Sequence, residues 1–237
     1  MKKTKVLLTL TCALMLIAAS VMGTLAYLTD KDEVKNTFTV GQVDIKLDEA
    51  QINDAGQPVD KDGKVVTNLA DAKRVEKNSY HLLPGHVYTK DPTLTVLKNS
   101  EKSYVRLLVT VTFDQELSNE KLLKLKLDGI FNGYNNSWVR GEDPVITSKT
   151  KAGGEEKYTV ITYEYRYKEI VEGKVDGVAA DNKLPALFTG IKVPGEWDNE
   201  MMAAVGKFDI DVVGQAIQAD GFDKSDDAWE AFAEQSK

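Results

Sequence analysis

Two histidines are the side chains best suited to metal binding or catalysis, and their spacing limits what they can do. His81 and His86 are separated by residues 82–85, which read Leu-Leu-Pro-Gly. A zinc protease of the His-Glu-x-x-His type needs two histidines one helical turn apart, with a glutamate between them. Because a Pro-Gly pair favours a turn over a helix, this spacing does not predict such a zinc site.

The other residues with catalytic chemistry form no recognisable motif. The single cysteine, Cys12, lies in an apolar run, and the sequence contains neither a Gly-Lys-Ser/Thr phosphate loop nor a Gly-x-Ser-x-Gly elbow. Asp209 and Asp211 lie on one face of a predicted strand, where they either share a calcium ion with loop carboxylates or form a solvated face. We favour the solvated face. We therefore predict no catalytic residue, no metal site and no cofactor, and a protein that is not an enzyme.

The first 26 residues have the pattern of an export signal. Three lysines within the first five residues precede an apolar run over residues 6–22, and small residues follow at 23–26. This order is typical of a secretory signal peptide, with cleavage between Ala26 and Tyr27. The alternative is an uncleaved helix over residues 6–28, which is long enough to span a bilayer. We favour cleavage, because small residues occupy the positions that a signal peptidase reads.

The charge and the cysteine content both fit a secreted protein. The whole chain has a net charge of −7, and loss of the three lysines of residues 1–26 lowers it to −10. An acidic surface argues against nucleic acid as a partner. Residues 27–237 contain no cysteine, so core packing rather than disulfides must stabilise them. We expect these residues to form a single domain outside the cell.

Alternation of apolar and polar residues predicts an all-β protein. The clearest strands are residues 104–113, with one continuous apolar face, and residues 158–170, while an N-terminal strand segment spans residues 27–47. Short helices are predicted over residues 118–126 and 225–232, where Ser118 and Ser225 are suitable caps. Eight to ten strands with long loops and a few short helices predict an antiparallel, jelly-roll-like sandwich.

Two features interrupt the strand pattern. The alternation changes parity at Gly41, where we predict a β-bulge or kink, and again past Gly214, since a shift of one residue reverses the buried face. Residues 48–79 are polar and rich in turn-forming residues. They predict a long loop with a short hairpin around Asp62 and Gly63.

A row of tyrosines on the predicted strand 158–170 allows two interpretations. Tyr163, Tyr165 and Tyr167 share one face, which is either a surface aromatic platform for a ligand or a sheet face whose rings pack in the interior. We favour packing, because aromatic residues are enriched in strands in any case.

Several blocks of the sequence resemble the TasA/camelysin (CalY) family of Gram-positive bacteria. Residues 23–30 read Gly-Thr-Leu-Ala-Tyr-Leu-Thr-Asp, and residues 36–45 read Asn-Thr-Phe-Thr-Val-Gly-Gln-Val-Asp-Ile. Residues 83–92, 104–106 and 206–222 are similar to further family blocks. In that family a dedicated SipW-type signal peptidase cuts near the Gly-Thr-x-Ala element, which here ends at Ala26.

The resemblance implies a secreted jelly-roll subunit of biofilm matrix fibres. The subunit's partners would be further copies of itself, the SipW-type signal peptidase and other matrix proteins. In such fibres the N-terminal segment of one subunit adds as a strand to the next. Leu28, Val34, Phe38 and Val40 share one parity and are the candidate inserted side chains, although Asp30, Asp32 and Asn36 share it as well.

Three alternatives to this assembly remain open at this point. Residues 27–35 can be a disordered leader before an internal strand. Camelysin-like members of the family imply a secreted metallopeptidase. A monomeric cell-surface adhesin would use the tyrosine row or the loop 48–79 as its binding surface.

Overall fold

The computed structural model describes residues 29–31, 42–80, 82–197, 201–203 and 208–235. The strands among them are β1 Thr29–Lys31, β2 Ile45–Ala50, β3 Arg74–Val75, β4 Val87–Thr89, β5 Thr93–Val96, β6 Ser103–Phe113, β7 Phe131–Asn132, β8 Trp138–Arg140, β9 Val145–Thr150, β10 Lys157–Tyr167, β11 Lys174–Val175, β12 Val178–Ala179, β13 Asn182–Lys183, β14 Gly190–Lys192 and β15 Phe208–Gln218. Among the described residues, the two longest helices are α1 Asn119–Leu125 and α2 Ser225–Gln235. The predicted bulge at Gly41 lies outside the described residues.

The larger sheet is antiparallel and is built around β6. Its strand order is β1-β15-β6-β10, and β8 and β9 both pair with the far edge of β10. Along β6, buried and half-buried residues alternate without interruption. This pattern confirms the predicted strand 104–113. Its apolar side chains face the core at every second position.

A second layer covers one face of this sheet. It consists of a four-stranded sheet in the order β13-β5-β2-β3 and a three-stranded sheet in the order β4-β14-β7. One continuous core contains Leu94 and Ile45 of the second layer together with Leu107 of β6. The layers approach closely at Gly214, where an added Cβ would lie 3.0 Å from Leu94 Cδ1. The chain is therefore all-β, with antiparallel sheets packed face to face, as predicted.

The region 48–79 is more ordered than a loop. Strand β2 continues to Ala50, so the predicted loop start at Asp48 was wrong. The hairpin around Asp62 and Gly63 is confirmed, because Val59 and Val65 form an antiparallel bridge on either side of it. Val59 and Ala72 are buried, and backbone hydrogen bonds from Thr89 N to Gly56 O and from Lys73 N to Val59 O connect the hairpin to β4 and to the residue before β3.

Strand β15 continues past Gly214, as predicted, and the change of parity in its apolar residues involves no shift in strand pairing. Its pairing with β6 runs without a shift from Phe208 opposite Phe113 to Gln218 opposite Ser103. The apolar residues change parity because helix α2 covers the outer face near the end of β15. Ile217 packs there in a separate apolar cluster with Trp229 of α2.

No helix in the described part of the chain is long and apolar enough to cross a membrane.

Candidate functional site

The N-terminal strand β1 lies at an edge of the larger sheet, where it pairs with β15. The pairing is antiparallel and places Thr29 opposite Ile217, Asp30 opposite Ala216, and Lys31 opposite Gln215. Part of the predicted N-terminal strand segment 27–47 is therefore a strand, and its partner is the last strand of the same chain. The predicted cleavage residues Ala26 and Tyr27, and the candidate inserted residues Leu28, Val34, Phe38 and Val40, lie outside the described residues.

The burial of β15 changes along its length. Residues 214–217, which include the three opposite β1, are buried. In the other half, Phe208, Ile210 and Val212 face the core but are only partly buried, and Asp209 and Asp211 are exposed. Within the described chain, β15 is therefore buried where β1 pairs with it and stays partly exposed in its other half.

One edge of β15 is unpaired over most of its length, as far as the described residues go. Strand β6 pairs with the whole of β15 on one side, whereas β1 covers only Gln215–Ile217 on the other. Residues 208–214 therefore face the open side without a strand partner in the described part of the chain. Unpaired backbone N–H and C=O groups at such an edge are a template for strand addition.

Helix α2 packs on the outer face of β15, directly above the residues that receive β1. Ile217 is fully buried against Ala228, Trp229 and Phe232. The guanidinium carbon of Arg106 lies 4.1 Å from the centre of a Trp229 ring, and Arg106 Nε donates a hydrogen bond of 2.8 Å to Gln215 Oε1. Arg106 thus links the sheet, the helix and the strand-accepting residues.

A chain of charged side chains extends this link to the neighbouring strand. Arg166 Nε donates to Glu164 Oε1 at 2.5 Å, and Arg166 also pairs with Asp226 at the start of α2. Arg106 Nη1 lies 3.3 Å from the same Glu164 oxygen. Burial lowers the pKa of Arg106, and Glu164 opposes that effect. These contacts fasten α2 to the sheet.

A second charged cluster lies in the other layer, and its groups are paired with one another. Arg74 Nε donates to Asp48 Oδ1 at 2.8 Å and Arg74 Nη1 also donates to Asp91, while Lys90 Nζ lies 2.7 Å from Glu49 Oε2. Burial acts to lower the pKa of Arg74, but its hydrogen bonds to Asp91 and Asp48 outweigh burial and raise it. Because the charges of this cluster already satisfy each other, it does not offer a binding site, and loss of one partner would leave a buried charge uncompensated.

The tyrosine row is not a surface platform. Tyr163 and Tyr165 are only 3% and 4% exposed, and both belong to the core. Tyr167 is partly exposed, but it packs edge-on against Trp138 at 5.0 Å between ring centres. The possible surface aromatic face is therefore wrong for Tyr163 and Tyr165, and the packing that we favoured is confirmed for these two residues.

The two histidines do not form a site in the described chain. His86 stacks on Tyr88, with ring centres 6.4 Å apart, and His81 lies outside the described residues. Across the described ranges, no group of three or more His, Cys, Asp or Glu side chains is placed to hold a metal ion.

The chain was compared with family models, curated proteins and solved structures, and none of them matches it.

Proposed function

We propose that this protein is a secreted structural subunit that polymerises into extracellular fibres of the biofilm matrix. In this proposal the N-terminal strand of one copy adds to the free edge of β15 in the next copy. The observation that carries it is the pairing of β1 with Gln215–Ile217, at a sheet edge that is otherwise open among the residues the structure describes. Because β1 lies at the end of the strand order, it can leave the sheet while the remaining strands keep their order.

Exchange between copies preserves the contacts that exist within one copy. The same antiparallel register satisfies β1 and β15 whether they belong to one chain or to two, which is the basis of domain swapping. Ten residues, 32–41, separate β1 from Gln42. A segment of that length spans at most about 33–36 Å when extended, similar to the diameter of a small domain. The segment is long enough to carry β1 to a neighbouring copy.

The proposed assembly needs no cofactor and no disulfide. Main-chain hydrogen bonds provide affinity, and alternate side chains provide selectivity, as in other cases of strand addition. A SipW-type signal peptidase would act first, because cleavage after Ala26 frees the segment that begins at Tyr27. Export and assembly are then linked, since an uncut chain keeps its N-terminal segment attached to the signal.

Electron microscopy of two purified chains tests the proposal. A chain beginning at Tyr27 is expected to form filaments, whereas a chain beginning at Lys35, which lacks β1, is expected to stay monomeric. Monomers from both chains, or filaments from both, would contradict assembly through β1. Mass spectrometry of the secreted protein checks the expected N-terminus at Tyr27.

A further inference from the structure

We propose that the folded chain forms an isopeptide bond between Lys90 Nζ and Asn78 Cγ, with Glu49 as the group that moves the protons. The bond releases one ammonia and links the residue after β4 to the segment after β3. It needs no second copy of the chain, so it goes beyond the proposed function and does not depend on it.

One buried carboxylate contacts both of the side chains that react. Lys90 Nζ lies 2.7 Å from Glu49 Oε2, and Asn78 Nδ2 donates a hydrogen bond of 2.8 Å to Glu49 Oε1. The side chains of Lys90 and Glu49 are only 5% and 6% exposed. Both distances lie within the range over which a general acid or base exchanges protons, about 2.6–3.2 Å. Glu49 is therefore placed to take a proton from the amine and to deliver one to the amide nitrogen.

The fold brings these three residues together from separate strands. Glu49 belongs to β2, Lys90 directly follows β4, and Asn78 follows β3. Pairing of Glu49 with Val75 at the end of β3 brings the segment that contains Asn78 beside β2. Groups held together in this way react far faster than groups that must meet by diffusion, so the bond forms after the chain has folded.

The carboxamide of Asn78 is fixed at both ends. Ile52 N donates a hydrogen bond of 3.0 Å to Asn78 Oδ1, and Asn78 Nδ2 also donates one of 2.8 Å to the Ala50 carbonyl. Negative charge develops on Oδ1 when an amine attacks Cγ, and a backbone N–H at that oxygen stabilises it. The two contacts also orient the amide so that its nitrogen, which is the leaving group, faces Glu49.

The surroundings of Lys90 exclude most water but leave a route for ammonia. The ring centre of Tyr80 lies 5.2 Å from Lys90 Nζ, and exclusion of water removes the nucleophile that would compete with the amine. A crevice of about 70 Å³ is lined by Glu49, Asn78 and Lys90, and the exposed Lys77 lines it as well. Ammonia can therefore leave from the reacting groups to the surface.

The reaction balances in atoms and charge and involves no oxidation or reduction. The ammonium group of Lys90 gives a proton to Glu49, and the free amine forms a bond to Asn78 Cγ. Glu49 passes its proton to Asn78 Nδ2 and takes another from Lys90 Nζ, and the bond between Cγ and Nδ2 then breaks. The products are a neutral amide, ammonia and a protonated Glu49, whose proton the ammonia carries away as ammonium.

The bond closes a covalent ring over residues 78–90. Residues 27–237 contain no cysteine, so no disulfide restrains this region. A cross-link acts largely by restricting the unfolded chain, and an amide does so whatever the redox conditions. The ring includes the exposed residues Gly85 and His86, and a proteolytic cut between them would leave the chain in one covalent piece.

Mass spectrometry of a tryptic digest tests the bond in the folded chain that begins at Tyr27. Trypsin cuts an unmodified chain after Lys77, Lys90 and Lys98. An amide on Lys90 Nζ blocks the middle cut, so we expect a peptide of residues 78–98 that is lighter than its sequence by one ammonia. Fragmentation of this peptide should separate no pieces within the ring of residues 78–90.

Every other result of the digest overturns the bond. A free peptide of residues 78–90, or residues 78–98 at full mass, means that Lys90 and Asn78 only form contacts with Glu49. Loss of ammonia together with a cut after Lys90 means that Asn78 has cyclised onto its own backbone instead. The digest uses the unchanged chain, so it decides the matter even if a variant fails to fold, and none of these results alters the expectation of filaments.

A pair of glutamine substitutions tests the role of Glu49. Glu49→Gln keeps the shape of the side chain but cannot take the proton, and it is expected to lower the cross-linked fraction at least about tenfold. The matched control is Glu76→Gln, at an exposed position near Asn78, which should keep the bond. Circular dichroism checks that both variants fold. Equal cross-linking in the two folded variants would show that Glu49 does not move the protons.

Discussion

The guanidinium group of Arg106 lies over the indole ring of Trp229, 4.1 Å from its centre, and also holds Gln215 by a hydrogen bond. Gln215 is one of the three residues that pair with β1. The contact therefore connects helix α2 to the edge of the sheet where we propose that assembly occurs. The stability of α2 on the sheet and the shape of that edge depend on the same arginine.

Removal of the Trp229 ring should destabilise the protein strongly. Trp229→Ala is expected to lower the free energy of unfolding by about 3–5 kcal/mol, because a large buried side chain is lost from the cluster around Ile217. Trp229→Phe should cost much less, since Trp229 Nε1 is buried without a hydrogen-bond partner in the described chain and its removal relieves that penalty. Urea unfolding measures both. Equal losses for the two variants would contradict this account of the ring.

Arg74 should be essential to the charged cluster of the second layer. Arg74→Ala removes the cation that Asp48 and Asp91 share. Asp48 keeps its ion pair with Lys46 at 2.9 Å, whereas Asp91 is left buried without Arg74, and the change is expected to cost about 3–5 kcal/mol of unfolding free energy. The exposed neighbour Lys73 provides the control, and Lys73→Ala should change stability by less than about 0.5 kcal/mol. Thermal and urea unfolding of both variants check the difference. A small effect of Arg74→Ala would mean that water replaces its contacts.

Because the pKa of Tyr80 is raised in the folded protein, the protein should become less stable at high pH. Burial, with the nearby charge of Glu49, raises the pKa of Tyr80 well above its usual value of 10.0. The unfolded chain therefore loses this proton first as the pH rises. The stabilisation is fully present below pH 10 and is lost above it, by up to about 1.4 kcal/mol per pH unit.

The variant Tyr80→Phe isolates this effect of pH. It lacks the ionisable group, so the part of the alkaline loss that belongs to Tyr80 should disappear. At neutral pH it should be less stable by about 0.5–1.5 kcal/mol, because the hydroxyl hydrogen bond to the Thr89 carbonyl is lost. Urea unfolding between pH 9 and pH 11 compares the two proteins. Parallel pH profiles would show that Tyr80 ionises at its ordinary pH in the folded state.

Long strands were predictable from their alternation, but the element that covers the second face of a strand was not. Strand β6 was recognised because its apolar residues recur at every second position. In β15, Ala216 faces the main core while Ile217 faces the cluster under α2. Local alternation cannot reveal this, since the second cover comes from a helix that follows the strand.

The features that the sequence analysis missed depend on contacts between residues that are far apart in the sequence. Arg74 reaches Asp48 over 26 residues and Asp91 over 17, and no spacing rule connects such residues. The partner of the N-terminal strand was equally hidden, because any open sheet edge can accept a strand of that length. The sequence analysis did predict an N-terminal strand segment, of which Thr29–Lys31 is a strand, and the parity of its candidate inserted side chains stays a prediction.

The most direct test of assembly by strand exchange mixes two chains that each carry one cysteine. One begins at Tyr27 with Asp30→Cys and the other begins at Tyr27 with Ala216→Cys, since these positions are opposite each other in the β1–β15 pair. The control replaces Ala216→Cys by Gln215→Cys, whose side chain faces the other side of the sheet. After oxidation, we predict a disulfide between the two different chains and a much slower one in the control mixture. Absence of the interchain 30–216 disulfide, while a single chain with both cysteines closes its own, would contradict assembly through β1.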